Sequence, residues 1–274
     1  MKILITGAAG QLGRALTAEL AAHEVEAASH QRLDITRLDD VREAVAGFAP
    51  DVVINAAAYN YVDRAEHEAI EAYRVNALGP RNLALATAAV EIPLVHVSTD
   101  YVFDGGAGRP YHEFDQPHPL SIYAASKFSG ELAVKELNQR HYIVRTAWLF
   151  HVHGRNFLSL MLSLNRQPPV KAVDDQFSSP TYAPHLARAI AKLIKTQAYG
   201  VYHIAGQGGT SRFEMTRLLF SILGLQTEVV AVPHTEFPAP AKRPRYSVLT
   251  TIQDPQILLP PWQEGIHAFA RALG

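Results

Sequence analysis

The stretch "KILITGAAGQLGRALTAEL" (Lys2–Leu20) decides the fold. Lys2–Thr6 is a short apolar run with the length and bounds of a strand. Gly7, Gly10 and Gly13 follow at once. Leu12, Ala15, Leu16 and Leu20 then recur with helical spacing. The glycines are spaced G-x-x-G-x-x-G rather than G-x-G-x-x-G, but the physical demands are the same. Gly7 permits a tight turn, Gly10 lets backbone N–H groups approach a pyrophosphate, and Gly13 lets the helix pack close to the strand. The helix starting near Gln11 aims its positive end at bound phosphates. A glycine triplet means little alone; between a strand and an amphipathic helix it predicts dinucleotide binding.

Outward from this unit the alternation continues. "VEAAS", "DVVINAA", "PLVHVST", "HYIVRTAWLF" and "GVYHIAG" read as strands. "LDDVREAVAGF", "AIEAYRVNALGPRNLALATAAV" and "AASKFSGELAVKELN" read as helices, the second of them despite Gly79-Pro80. Alternating strands and helices predict a parallel sheet wrapped on both faces, and near-continuous apolar strands agree because such a sheet has no wet side. The fold class is therefore α/β: a doubly wound, Rossmann-type parallel sheet with a smaller C-terminal substrate-binding lobe. The dinucleotide-binding part is expected at residues 1–148 plus parts of 170–206, and the lobe at 149–169 and about 207–274. In the lobe, Ser211 and Glu214 match a capping box at the start of "RFEMTRLLFSILG". The proline-rich "PHTEFPAPAKRPR" is too stiff for a regular element.

Composition narrows the function classes. The chain has 274 residues, long enough to bury a core without staples. It has no cysteine, which excludes disulfides and thiolate metal sites and fits a reducing, cytoplasmic setting. A formal net charge of −1 provides no global attraction to nucleic acid or anionic membrane. No apolar run approaches the ~18 residues of a membrane span, and the N-terminus has no signal-peptide pattern.

The end of the second strand bears on the choice of dinucleotide. An acid there grips the ribose 2′-hydroxyl and repels a 2′-phosphate. Here the strand runs into Ser29, His30, Gln31 and Arg32. This points to NADPH, with Arg32 or His30 near the phosphate and NADH left open. Asp34 follows shortly after and reads equally as an ordinary helix N-cap.

A second constellation carries chemistry. Tyr123 and Lys127 are four apart in a helical segment and share one face. A tyrosine alone titrates near 10, and an ammonium beside it lowers that value. The phenol can then exchange a proton with a carbonyl or alcohol oxygen. Thr99 stands at the carboxyl end of the fourth strand, where doubly wound folds bind ligands, and its hydroxyl can hydrogen-bond the same oxygen.

These are marks of the short-chain dehydrogenase/reductase superfamily, and the resemblance extends along nearly the whole chain. "GAAGQLG", "LDIT", "INAAAYNYVDRAE", "NALGPRNLA", "STDYVFDG", "YAASKFSGE", "RTAWLF", "DDQFSSPTY" and "RPRYSVL" occur in this order. Together they resemble the dTDP-4-dehydrorhamnose reductase family, whose members reduce the 4-keto group of dTDP-4-dehydro-L-rhamnose with NAD(P)H. The resemblance implies that Tyr123 is the proton donor and that Lys127 supports it and holds the nicotinamide ribose. It implies a pyrophosphate loop at Gly10, Gln11 and Leu12, and adenosine contacts at Asp34 and Ile35. Ala56, Ala57 and Ala58 would run beneath the cofactor. Thr99, Asp100, Tyr59, Val62 and Trp148 would meet or border the substrate, and Asn76 would support a proton relay. Some members carry a glutamate just after the glycine loop that helps bind magnesium between subunits. Here Arg14 and Ala15 stand there, so no metal is expected and a homodimer is left open.

Other features are weighed on their residues. Lys242, Arg243 and Arg245 form either a solvated run or, through Arg243, a clamp for a substrate diphosphate. His151 and His153 have no evident third metal ligand and read as a loop. Asp174 and Asp175 read as braces for the loop before "SSPTY". A 4,6-dehydratase resembling this scaffold would carry Thr-Asp-Glu, whereas the run here is Thr99-Asp100-Tyr101. Another nucleotide-sugar ketoreductase or epimerase of the superfamily, or a non-catalytic dinucleotide-binding regulatory subunit, remain as alternatives.

Overall fold

The computed structural model of the chain describes residues 1–166 and 169–274. In chain order the first half runs β1 (Lys2–Thr6), α1 (Gln11–Glu19), β2 (Glu24–Ala28), α2 (Leu38–Phe48), β3 (Val52–Asn55), α3 (Val62–Ala65), α4 (Ala69–Tyr73), α5 (Gly79–Ala89), β4 (Leu94–Thr99), α6 (Ile122–Leu137) and β5 (His141–Thr146). The second half runs β6 (Leu149–Phe150), α7 (Phe157–Leu164), β7 (Val170–Val173), β8 (Phe177–Ser178), β9 (Thr181–Tyr182), α8 (Ala183–Leu193), β10 (Gly200–His203), β11 (Thr210–Ser211), α9 (Arg212–Ile222), β12 (Val229–Val232) and α10 (Trp262–Arg271).

Six strands pair in the order β10-β5-β4-β3-β1-β2, all parallel. Their side chains alternate between two apolar layers. Ile3, Ile5, Val52, Ile54, Tyr142 and Val144 pack with α1 and α8. Leu4, Val53, Leu94 and Ile143 face the opposite way, towards α2, α5 and α6. Both faces are dry, which is why these strands read as unbroken apolar runs. Strand order reverses between β1 and β3, so a crevice opens at their carboxyl ends, where doubly wound sheets bind ligands.

A separate core collects Phe150, Leu158, Met161, Val170, Tyr182, Met215, Leu219, Phe220, Trp262, Ile266 and Phe269. It draws on β6, α7, β7, β9, α9 and α10, with β7 pairing β12 and β6 pairing β9. Residues 170–182 thus sit with this second core, while α8 and β10 return to the sheet.

Three local expectations need correction. "HYIVRTAWLF" is two strands, β5 and β6, because Trp148 takes a left-handed backbone (φ 40) that breaks the extension. The Ser211–Glu214 capping box is half formed. Ser211 Oγ accepts the Glu214 N–H at 3.2 Å, but the Glu214 carboxylate pairs with Arg217 at 2.9 Å instead of returning to the cap. The proline-rich segment contains a 3₁₀ turn, His234–Glu236. The Gly79-Pro80 helix does continue from α4, through a π-helical turn at Arg74–Leu78 that leaves Pro80 in the first turn of α5. A Cβ on Gly79 would lie 2.5 Å from Ile35 Cδ1, so this position has no room for one.

Candidate active site

A cleft of about 390 Å³ opens at the carboxyl ends of β1, β3, β4 and β5. Its first edge is the glycine turn. Gly7 has φ +68, and a Cβ there would sit 2.5 Å from Ala57 N. A Cβ on Gly13 would sit 2.3 Å from Gly7 O. Both positions therefore require glycine for the turn and the close helix approach. Gly10 differs: its Cβ would meet only Gly7 O, at 3.2 Å, and would otherwise project into the open cleft. Gly10 is also the N-cap of α1 and supplies no side-chain cap. The first-turn N–H groups of α1 thus remain free to meet an anion, with no acid in that turn to repel one.

The floor is the end of β4. A buried network fixes the strands beneath it: Thr6 Oγ1 donates to Asn55 Oδ1 at 2.7 Å, and Asn55 Nδ2 lies 3.0 Å from His96 Nδ1. Burial, reinforced by Lys127, holds the His96 imidazole well below its usual pKa and hence neutral. Above this network, Ser98 Oγ, Thr146 Oγ1 and Trp148 Nε1 are buried without a hydrogen-bond partner among the described residues, and all three residues line the cleft. Buried polar atoms rarely go unpaired, so this floor has the donors and acceptors of a ligand site.

Helix α6 brings the reactive side chains to the same floor. Ser121 Oγ caps it by accepting the Ala124 N–H at 3.3 Å, so Tyr123 and Lys127 lie on successive turns facing β4. Thr99, Tyr123 and Lys127 are all buried and all line the cleft. Lys127 Nζ donates to Val97 O at 2.7 Å. Burial lowers the lysine to about 8, with Glu131 pulling it back up. Burial pushes the Tyr123 phenol up, against a weaker downward pull from the Thr99 hydroxyl; Asp100 and Tyr101 push it further up. The expected acidification by Lys127 is absent: in this chain desolvation dominates the phenol and the ammonium is committed to a carbonyl. A phenol held neutral is a proton donor rather than a base.

A family description, the RmlD substrate binding domain, matches residues 1–274. The dTDP-4-dehydrorhamnose reductase of Mycolicibacterium smegmatis is 41% identical over 100% of this chain and 86% of its own length. The spore coat polysaccharide biosynthesis protein SpsK of Bacillus subtilis is 36% identical over 98% of this chain and 96% of its own. The crystal structure of dTDP-4-dehydrorhamnose reductase from Bacillus anthracis, in complex with NADP, superposes with a TM-score of 0.96 at 40% identity, covering 99% of both chains. The chain belongs to the dTDP-4-dehydrorhamnose reductase family.

Several residues singled out by resemblance to that family also line the cleft: Gln11, Leu12, Ala56, Ala58, Val62 and Trp148. Others stand elsewhere. Ala57 faces the second apolar layer and backs Gly7. Asp34 is not a helix cap, since α2 begins after Arg37; its Oδ1 accepts the Thr36 N–H at 2.9 Å and the Thr36 hydroxyl at 2.8 Å. Ile35 is buried against Gly79, outside the cleft lining. Arg32 is exposed and paired with Glu26 at 2.7 Å.

The Tyr59 phenol turns away from the cleft and donates to Glu68. Asn76 braces the backbone: its Oδ1 accepts the Tyr59 N–H at 2.8 Å, and its Nδ2 donates to Tyr59 O at 3.0 Å. Asp100 does line the cleft, with its carboxylate held by neighbouring hydroxyls. Its carboxylate accepts from Thr99 (3.1 Å), Ser178 (2.8 Å) and Ser247 (2.5 Å), tying the end of β4 to two distant loops. Burial raises it to about 6 despite those donors. Arg243 is not in the cleft. Its guanidinium grips Asp63 of α3 at 2.7 and 3.0 Å, which satisfies the charge internally.

Asp174 and Asp175 brace their loop, accepting from Ser211 at 2.5 Å and from His234 at 2.7 Å. His151 and His153 meet edge to face with centroids 5.1 Å apart in a groove behind the glycine turn, beside Arg14. Among the described residues no group of three or more His, Asp or Glu side chains could hold a metal ion. Among them, too, no helix is long and apolar enough to cross a membrane.

Two cleft arginines were missed by sequence reasoning. Arg155 lies over the start of α1, where Gln11 Nε2 donates to Arg155 O at 3.5 Å and Asn156 Nδ2 donates to Gln11 Oε1 at 3.1 Å. Arg212, the first residue of α9, lies against Trp148. Neither carries a local pattern that distinguishes it from a surface arginine; only the tertiary fold brings them to the site.

Proposed function

We propose that the protein is an NADPH-dependent reductase of the 4-keto group of a dTDP-4-dehydro-6-deoxy sugar, converting dTDP-4-dehydro-L-rhamnose to dTDP-L-rhamnose. The observation that carries this reading is the convergence of Thr99, Tyr123 and Lys127 on the floor of a cleft that begins at Gly10. The names of the relatives, and the NADP held by the Bacillus anthracis enzyme, support the substrate and the cofactor.

The free N–H groups at the start of α1 would hold the cofactor diphosphate, with Arg155 above them. Small residues at Ala56 and Ala58 let the dinucleotide lie against the ends of the strands. Lys127 keeps one donor on Val97 O and has two left for the ribose hydroxyls. When bound, the reduced dinucleotide supplies the hydride for the keto carbon. Tyr123, neutral through burial, gives its proton to the keto oxygen, and the Thr99 hydroxyl, turning its proton from Asp100 to that oxygen, hydrogen-bonds it and fixes its direction. The resulting phenolate, which burial disfavours, regains its proton from water. The end of β2 supports NADPH over NADH, because Ser29 and Gln31 bond each other there and no acid stands against a 2′-phosphate.

The proposal assigns substrate binding to the part of the chain built on the second core and cofactor binding to the sheet. It places the protein in the cytoplasm, which the absence of cysteine supports. The proposal leaves a homodimer open. The test is direct. The chain is supplied with NADPH and dTDP-4-dehydro-L-rhamnose, and loss of the reduced nicotinamide absorbance is followed together with the sugar product. Stoichiometric oxidation with formation of dTDP-L-rhamnose is expected; no oxidation above the substrate-free rate overturns the proposal.

A further inference from the structure

Arg212 is held in an unusual way for a cation. Its guanidinium lies 3.8 Å from the Trp148 ring centroid and 4.4 Å from that of Phe157. Aromatic faces attract a cation but accept none of the hydrogen bonds its planar fork can donate. Among the described residues Arg212 forms no ion pair. Arg145, by contrast, is bound by Glu131, Arg109 by Asp115 and Arg243 by Asp63. The acid that acts on it is Asp100, whose carboxylate is already taken by three hydroxyls. Burial lowers Arg212 to about 10, as expected of a charge removed from water without a full partner. The two rings orient the fork, the Tyr101 hydroxyl meets one side of it, and the rest of its edge is left for something else.

The cleft has two such cations on different sides. Arg155 is on the segment that hydrogen-bonds Gln11, over the α1 N-terminus. Arg212 is beside Trp148 and Asp100, at the end of β4. A dinucleotide and a nucleoside-diphosphate sugar each bring one diphosphate into this space. The α1 N-terminus accounts for the first.

We propose that Arg212, oriented by Trp148 and Phe157, binds the diphosphate of the nucleotide-sugar substrate, the role that the sequence left open for Arg243. This rests on the reading of the substrate as a nucleoside-diphosphate sugar. A guanidinium suits the task because two of its N–H groups can meet two phosphate oxygens at once. The same contact joins diphosphate recognition to the reactive side chains, since the ring that orients the fork lines the same cleft as Thr99 and Tyr123.

Calorimetric titrations of dTDP, thymidine and NADPH into the wild-type chain, Arg212→Gln and Arg212→Lys test this. In Arg212→Gln, the affinity for dTDP should fall by about tenfold or more, the loss expected for a charged hydrogen-bond pair. Thymidine and NADPH should bind as before. Arg212→Lys should restore only part of the dTDP affinity, because an ammonium keeps the charge but lacks the fork. Unchanged dTDP affinity in Arg212→Gln overturns the proposal. So does an equal loss for thymidine or NADPH, which would mark Arg212 as a general brace. Turnover of the keto-sugar by the wild-type chain is read separately: its absence sinks the proposed reaction, whereas normal turnover with unchanged dTDP binding in Arg212→Gln sinks only the diphosphate site.

Discussion

On the wall built from β4 and α6, Thr99, Tyr123 and Lys127 are buried and held by hydrogen bonds and a capped helix. On the facing wall, Trp148, Phe157 and Arg212 meet through stacked faces, with the Tyr101 hydroxyl beside the guanidinium and, among the described residues, no acid paired to it. The first arrangement suits proton transfer, which needs a donor at a set distance. The second suits binding, where a planar cation can turn slightly on an aromatic surface to meet its anion. The difference separates the chemical step from recognition. Changes on the first wall should alter kcat, and changes on the second should alter KM.

Tyr123→Phe should break this contrast most severely. It removes the proton while leaving the ring, so kcat should fall by about 10²–10⁴-fold with the melting temperature little changed. Steady-state rates beside a thermal melt check both halves of that statement.

Glu131→Gln probes what lies behind the first wall. Glu131 and Arg145 form a bidentate pair at 2.7–3.2 Å, with both side chains at most 5% exposed. Removing one charge of such a pair should cost about 3–5 kcal/mol of stability, read by denaturant unfolding. It should also sharpen the role of Lys127. The ammonium is protonated below its pKa of about 8, so kcat/KM should decline as pH rises through that value. Glu131 raises the lysine, so the variant's alkaline limb should move to lower pH.

The smallest effect is expected at Arg243→Ala. Its pair with Asp63 is partly exposed and lies outside the cleft, so stability should change by under about 1 kcal/mol. The KM for the keto-sugar should rise far less than in Arg212→Gln. A larger rise at position 243 than at 212 would reverse the assignment of the two arginines.

The first wall was legible in the sequence because its geometry is local. The strand–glycine–helix spacing at Gly7–Gly13 and the four-residue step from Tyr123 to Lys127 each fix neighbours through backbone regularity alone. Sheet alternation did the rest, bringing Thr99 to a strand end beside them. The second wall was not legible. Trp148 reaches it through a left-handed backbone that interrupts what reads as one strand. Arg212 arrives from α9, 64 residues further on, and its surroundings in "TSRFEM" resemble any capped helix. Tyr59 and Arg243 show the reverse problem. Each lies near the site in sequence pattern, yet each is committed to an internal partner that only the folded chain supplies. The phenol's protonation was misjudged for a related reason, since desolvation depends on burial that spacing does not reveal.

The most direct measurement is a crystal structure with NADP⁺ and dTDP-L-rhamnose bound together. Tyr123 Oη and Thr99 Oγ1 should both lie within hydrogen-bonding reach, about 2.6–3.2 Å, of the sugar O4. A sugar bound with O4 facing away from both hydroxyls, while the nicotinamide rests over β4, would contradict the account.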